Sequence, residues 1–538
     1  MKGNLLHTIA LWVRGLMLAL LSVSLVAIFT EYAHAQVRFA RTYGGTSYEH
    51  AYSVQQTSDG GYIVAGFTNS FGAGGWDAFL IKTDAYGNVQ WTKTYGGWNQ
   101  DEARSVQQTS DGGYIVAGYT HSFGAGADDF FLFKTDAFGN VQWAKTYGGW
   151  HHDYAYSVQQ TSDGGYIVAG YTLSYGSMSG YDVLLIKTDA NGNLQWAKTY
   201  RGTSGDYAFS IRQTSDGGYI VAGGGYSFDV GGDAFLIKTD AFGNVQWAKT
   251  YGGLGEDVAY SVQQTSDGGY IVAGYTESFG PGGYALFLIK TNAFGNVQWA
   301  KTYGGTSWDI AHSVQQTSDG GYIVAGYTGS FGAGGDDILL IKTAANGNVI
   351  WAKTYGGTGY DYAYSVQQTS DGGYIVAGHT IFSFSTSDYD IFLIKTDANG
   401  NIGSCGIVRN VTPPVTTPSV TVITPSFSVS SPSPAVNSPS PTVTSPTLTV
   451  TAPCPLSDDN VLGISESCKP VSGIITPYKG GIKVSGSGEF EVKVYNVSGV
   501  VVKSVKGKDE VKLELSRGVY FVEVVSGGKV IREKVVIR

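Results

Sequence analysis

Two acidic series recur along the chain at a spacing near fifty residues. Glu49, Asp101, Asp153, Asp206, Asp257, Asp309 and Asp361 form one, and Asp77, Asp129, Asp182, Asp233, Asp337 and Asp390 the other, which Ala285 interrupts. Carboxylates repeated in this way could ligate a hard cation such as Ca2+, which takes about six to eight oxygens. One acid per loop is far from that density, and no loop has an Asp-x-Asp-x-Asp-Gly arrangement. The preferred reading is therefore a carboxylate that accepts backbone N–H bonds in a turn, with no metal and no other cofactor expected. His151-His152-Asp153 raises zinc, but the trio sits in a single copy of the repeat without an evident further ligand. There is no Gly-x-Ser-x-Gly elbow, His-Glu-x-x-His pair or phosphate-binding loop, and Cys405 has no recognisable histidine partner.

Aromatic residues are the other chemistry-bearing group. Trp76, Trp98, Trp150, Tyr181, Trp308, Tyr360 and Tyr389 fall in segments that differ from copy to copy, beside acidic side chains. Rings of this kind stack on the apolar faces of sugars, and carboxylates accept hydroxyl bonds, so a glycan or protein ligand suits them; packing between loops is the alternative role.

The elements that position these residues come from a repeat whose copies begin at Thr42, Thr94, Thr146, Thr199, Thr250, Thr302 and Thr354. Within the first copy, residues 53–57 and 62–68 read as strands around a Ser-Asp-Gly-Gly turn. A Gly-rich loop, a strand over 78–83, a turn and a strand over 89–93 follow. Four antiparallel strands per unit and seven units predict an all-β fold, a seven-bladed propeller over residues 36–405. The runs Tyr-Ile-Val-Ala-Gly and Phe-Leu-Ile are apolar on both faces, as in a sheet stacked between two neighbours. Gln55-Gln56 and their equivalents are expected near the axis, with Arg212 replacing one Gln. Trp91, Trp143, Trp196, Trp247, Trp299 and Trp351 are expected in the outermost strand as packing residues.

The array begins and ends unevenly. Residues 37–41, Val-Arg-Phe-Ala-Arg, align with the fourth strand Val89-Gln90-Trp91-Thr92-Lys93, whereas the seventh copy has no fourth strand of its own. Val37 and Phe39 are thus expected to complete the last blade and close the ring, leaving no free sheet edge at the seam.

The flanks have different compositions. Residues 1–35 read as a signal peptide, with Lys2 and Arg14 near an apolar run and cleavage near Ala35. No later segment reads as a transmembrane helix. Residues 406–475 are rich in Pro, Ser, Thr and Val, with no charged residue between Asn410 and Ser457, and are expected to form an extended linker or stalk, its hydroxyls open to glycosylation. Alternation of Val and Thr there leaves a strand-rich rod as the other reading. Residues 476–538 return to short strands between Gly and Ser turns, a small β-sandwich, with 12 Lys plus Arg against 7 Asp plus Glu. The whole chain carries a net charge of −9, which argues against nucleic acid as a partner. Three cysteines, Cys405, Cys454 and Cys468, allow one disulfide in an exported chain, with the pairing open.

The motif Asp-Gly-Gly-Tyr-Ile-Val-Ala-Gly-Tyr-Thr, followed by Phe-Leu-Ile-Lys-Thr-Asp and Gly-Asn-Val-Gln-Trp-Ala-Lys, resembles the β-propeller repeats of secreted bacterial and archaeal proteins. The tail resembles the C-terminal sorting domain of type IX secretion substrates. Tyr495-Asn496-Val497-Ser498-Gly499 matches its Tyr-Asp-x-x-Gly turn, Gly518-Val519-Tyr520-Phe521 its Gly-x-Tyr strand and Lys534-Val535-Val536-Ile537 its last strand; its Pro-Asn-Pro opening is reduced to Pro477-Tyr478. This resemblance implies contact with a secretion machinery through residues 476–538 and passage to the cell surface or medium. The combined expectation is a secreted or surface-displayed, monomeric and non-catalytic propeller that serves as a binding, adhesion or scaffold module. A propeller polysaccharide lyase or hydrolase, a quinone-dependent dehydrogenase and a structural surface-layer component are the alternatives.

Overall fold

The computed structural model describes residues 37–403 apart from 177–179, 228–230 and 385–388. Beyond these it describes 406–423, the strands between 428 and 454, and the strands between 475 and 537. The signal peptide, Cys405 and Cys468 lie outside the described residues.

In the first repeat the strands are Glu49–Gln56, Tyr62–Thr68, Asp77–Thr83 and Val89–Gly96, paired antiparallel in that order. Gly60, at φ +82°, makes the left-handed turn between the first two, a conformation that a β-carbon disfavours. The middle strands are buried at every position, as their two-sided apolar pattern requires. Seven such sheets make the propeller, and the described residues contain no helix.

The N-terminal strand closes the ring. Phe39–Gly44 pairs with Tyr389–Thr396, placing Ala40 opposite Ile394. Phe39 is fully buried, and Val37 packs against the same cluster. Trp91, Trp143, Trp196, Trp247, Trp299 and Trp351 each lean on a tyrosine of the next blade, with ring centroids 5.8–6.0 Å apart. Phe39 completes the series against Tyr62 at 6.1 Å.

Hydrogen bonds tie each blade to the next. The Tyr95 hydroxyl donates to the Gly139 carbonyl at 2.8 Å, and at the seam Tyr43 donates to Gly87 at 2.7 Å. Nearer the axis, the Ser58 N–H donates to Gln108 Oε1, and the same bond recurs around the ring until Ser370 donates to Gln56. A second circuit runs through the first glutamine, as in Gln108 N–H to Gln55 Oε1 at 2.6 Å. Arg212 interrupts that circuit because a guanidinium has no acceptor.

The invariant Ser-Asp-Gly-Gly turn serves a buried cation. Lys82, at the end of the third strand and 3% exposed, extends to the turn of its own blade. Its ammonium lies 2.9 Å from Asp59 Oδ2 and donates to the Thr83 carbonyl at 2.8 Å. The pair recurs as Lys134–Asp111, Lys187–Asp163, Lys238–Asp216, Lys290–Asp267, Lys342–Asp319 and Lys395–Asp371. A buried ammonium needs such a partner, so Lys and Asp recur together.

The expectation of a stalk is overturned for the strands described between residues 408 and 454, which form a belt around the propeller. Short strands pair antiparallel with the outer strands of blades six, five, four, three, two and one, and last with Phe39–Gly44. The registers repeat: Val408 lies opposite Tyr355, Val415 opposite Tyr303, Val422 opposite Tyr251 and Val429 opposite Tyr200. Val436 then lies opposite Tyr147, Val443 opposite Tyr95 and Val450 opposite Tyr43. Each valine is seven residues after the last, and seven extended residues reach about 23–25 Å, one step along the rim. A blade's outer strand offers unpaired N–H and C=O groups, and β-branched tripeptides between prolines satisfy them. Contacts anchor the start of the belt, where Val411 N–H donates to the Ala352 carbonyl and Val420 packs on the apolar cluster between blades four and five. Cys454 ends the belt opposite Ala40.

The belt belongs to the unit Met1–Asp459; Asn460–Arg538 is a second compact unit. In the latter, Gly481–Tyr495 pairs with Val501–Glu514 along its length, with Ile475–Tyr478 beside its start and Gly518–Ser526 beside its end. Its register breaks between Ser485 and Glu489, and Ile482, Val484, Val492 and Val494 from both halves share one apolar cluster with Leu513 and Val522.

Candidate functional site

The first strand of every blade contains a β-bulge one residue before its axial serine, as between Ala51 and Ser53. A bulge frees one side chain from the ladder and re-aims it. The freed residues are Tyr52, Arg104, Tyr156, Phe209, Tyr260, His312 and Tyr364, and neighbours touch all the way round. Ring centroids are 5.3 Å apart for Tyr52–Tyr364 and Tyr156–Phe209, 5.0 Å for Phe209–Tyr260, and 4.7 Å for Tyr260–His312 and His312–Tyr364. The Arg104 guanidinium fills the remaining place, 3.9 Å from the centroid of Tyr52 and 5.2 Å from that of Tyr156. Its Nη2 lies 2.6 Å from Glu102 Oε2. Next along these strands, Ser53, Gln55 and their equivalents line an axial cavity of about 220 Å3 that also holds Arg212.

Burial governs the titration of this layer. His50 and His312 are pushed down to about 3, and His379 well below its usual value, by burial first. These imidazoles are therefore neutral aromatic members of the layer at ordinary pH.

The seven aromatic residues singled out from the sequence fall into two sets. Trp98 is 86% exposed and Trp150 82%, on the loops that enter blades two and three; Trp308 and Tyr360 are about half exposed on the equivalent loops of blades six and seven. Trp76, Tyr181 and Tyr389 belong to the inner layer. Trp76 stacks on Phe67 at 4.8 Å, Tyr181 meets Tyr171 at 4.9 Å, and Tyr389 meets His50 at 4.7 Å.

The first acidic series is engaged in its own loops. Asp101 Oδ2 accepts the Gly97 N–H at 2.8 Å and the Ser122 hydroxyl at 2.6 Å, while its other oxygen accepts the Thr120 hydroxyl. Asp153, Asp206, Asp257, Asp309 and Asp361 accept the corresponding glycine N–H at 2.8–3.0 Å and serine hydroxyl at 2.6–2.7 Å. The second series lies beside the first. A β-carbon on Gly96 would meet Asp77 Oδ1 at 2.1 Å and Asp101 Oδ2 at 2.7 Å, so two carboxylates press on one glycine. No group of three or more His, Cys, Asp or Glu able to hold a metal occurs among the described residues.

His152 is less isolated than its sequence neighbourhood indicated. Its Nδ1 is 2.6 Å from Asp128 Oδ2, across the boundary of blades two and three, and His121 Nδ1, in the same blade as Asp128, is 3.3 Å from the other oxygen. The Tyr154 hydroxyl donates to the same carboxylate at 2.8 Å.

Blade four breaks the layer. Where other blades place Phe67, Tyr119, Tyr171, Tyr275, Tyr327 and His379, it has Gly224; where they place Trp76, Asp128, Tyr181, Tyr284, Asp336 and Tyr389, it has Gly232. Losing these side chains leaves a cavity of about 310 Å3, walled by Tyr171, Tyr207, Phe209, Tyr260 and Tyr275 and edged by Glu256. The sequence held the signal in its glycines, but not the rings that would surround them.

Two family models match the chain. Holdfast attachment protein D matches residues 77–325, within the propeller, and the secretion system C-terminal sorting domain matches residues 476–538, the tail on which the type IX resemblance rests. The Regulatory protein FlaEY of Caulobacter vibrioides is 29% identical over 170 residues, which cover 29% of this chain and 16% of that protein. The chain thus spans a small part of that relative's length. None of the helices, none being present among the described residues, is long and apolar enough to cross a membrane.

Proposed function

We propose that this protein is exported through its C-terminal sorting unit and acts at the cell surface as an adhesion module, holding an extracellular glycan or protein on the aromatic face of its propeller. The observation that carries this reading is the pair of indoles Trp98 and Trp150, raised on equivalent loops of adjacent blades and left almost wholly in water. Large exposed aromatics on a rigid scaffold are the residues from which binding hot spots are made. The match to a holdfast attachment protein over residues 77–325 supports attachment, and the match over residues 476–538 supports export. Binding rather than turnover fits the recurrent acids, which are held in hydrogen bonds with their own loops.

Capture of glycans and of surface proteins by the purified chain, compared with a Trp98→Ala/Trp150→Ala variant, tests the reading. Neither indole is part of the core, so the variant should melt as the parent does and lose at least about tenfold in affinity. Undiminished capture by a correctly folded variant refutes the assignment of this face.

A further inference from the structure

The protein already buries one organic cation among tyrosines. Arg104 has its guanidinium 3.9 Å from the centroid of Tyr52, 5.2 Å from Tyr156 and 5.5 Å from Tyr119, with Glu102 as counter-ion at 2.6 Å. Aromatic faces carry negative quadrupole potential, and a carboxylate at the edge adds to it. The blade-four slot repeats this composition without the cation. Tyr171, Tyr207, Phe209, Tyr260 and Tyr275 supply the rings, Glu256 supplies the carboxylate, and among the described residues neither Lys nor Arg lines it. The Tyr226 hydroxyl donates to Glu256 Oε1, fixing the carboxylate at the rim.

We infer that this slot binds an organic cation, an alkylammonium or guanidinium group carried by the ligand. The inference rests on the reading of the aromatic face as the binding face, and it names the chemistry that one part of that face selects. The lining favours a cation over the other small polar ligands. An anion would meet Glu256, and a neutral sugar would leave the charge of that carboxylate uncompensated inside the slot. The volume of about 310 Å3 is near the lower end for ligand sites, ample for a substituted ammonium head.

The test is calorimetric or NMR titration of the full chain with tetramethylammonium, methylguanidinium and the neutral shape analogue tert-butanol. Saturable binding of the two cations, with the alcohol at least about tenfold weaker, is the expected result; equal binding of cation and alcohol, or binding of none, overturns the inference. Gly224→Tyr restores the ring found in the other blades and should abolish cation binding. Glu256→Gln, which leaves the walls intact, should weaken it about tenfold. If both folded variants bind like the parent, the slot is not the site. Nα-acetyl-lysine amide and glucosamine, titrated separately, distinguish a protein from a glycan source of the cation; binding of either supports the inference and binding of neither overturns it. This experiment separates from the Trp98/Trp150 test. Loss of capture without cation binding removes only the slot, and cation binding with undiminished capture removes only the tryptophan loops.

Discussion

Phe39 lies opposite Lys395 across the seam of the ring, the place that Trp351 holds opposite Lys342 within blade six. A residue from the start of the propeller thus stands in a sheet whose other four strands, the belt strand included, lie more than 300 residues later, and the ring exists only when that contact is made. Because Phe39 is fully buried, Phe39→Ala should cost about 3–5 kcal/mol and lower the melting temperature. Phe39→Trp should be tolerated, since the other six blades seat an indole there. Thermal unfolding of the two variants checks this, and a harmless alanine would contradict the closure.

Belt removal gives a second expectation. The short strands after residue 407 cover the outer edge of every blade, with ladder bonds that each contribute about 0.5–1.5 kcal/mol. A chain ending at residue 405 should melt earlier and associate through its uncovered edges. Hydrogen exchange on the outer strands, together with light scattering, measures both effects. A monomer with unchanged melting and unchanged exchange at Tyr251 and Tyr303 would rule the belt out.

The pH dependence of stability should have two limbs. Burial first, then the neighbouring carboxylate, pushes Asp77 up to about 7; Asp129 also rises to about 7, and Asp206 and Asp337 to about 6. A raised acid contributes stability that is complete below its unfolded value, 3.8, and is lost as pH rises through the folded value. Asp163 behaves oppositely. Burial raises it, but the Thr161 hydroxyl and the Lys187 ammonium outweigh burial and bring it down to about 2. Its contribution is present above 3.8 and lost as pH falls towards 2. The melting temperature should therefore peak near pH 4 and decline towards pH 7. Asp77→Asn with Asp129→Asn should make the upper limb shallower without touching the lower one, because Asp206 and Asp337 remain. Asp163→Asn should soften only the lower limb, because Asp216, Asp267 and Asp319 are brought down to about 2 as well. Calorimetry across this range decides, and a melting temperature that climbs between pH 4 and 7 would sink the account.

Much of this architecture was written in the chain. Period, turn residues and two-sided apolar strands determined a seven-bladed ring, and the unmatched segment around Phe39 determined how it shuts, because those features follow from local β-geometry and counting. The belt left a trace too, a valine every seventh residue from Val408 to Val450 and a proline every seventh from Pro418 to Pro453. That spacing has no meaning until seven open edges exist for it to match, so composition alone gave a stalk. The tertiary structure also decided which aromatics project and which join the inner layer. Trp76 and Trp98 are the same residue type in two neighbouring loops, yet one stacks on Phe67 and the other stands in water. The arginine that one of the seven bulges turns towards Tyr52, the Arg212 that breaks the axial circuit and the glycines that leave blade four open give a nearly sevenfold molecule unequal positions, since contacts between blades are set by closure of the ring and not by neighbours in sequence.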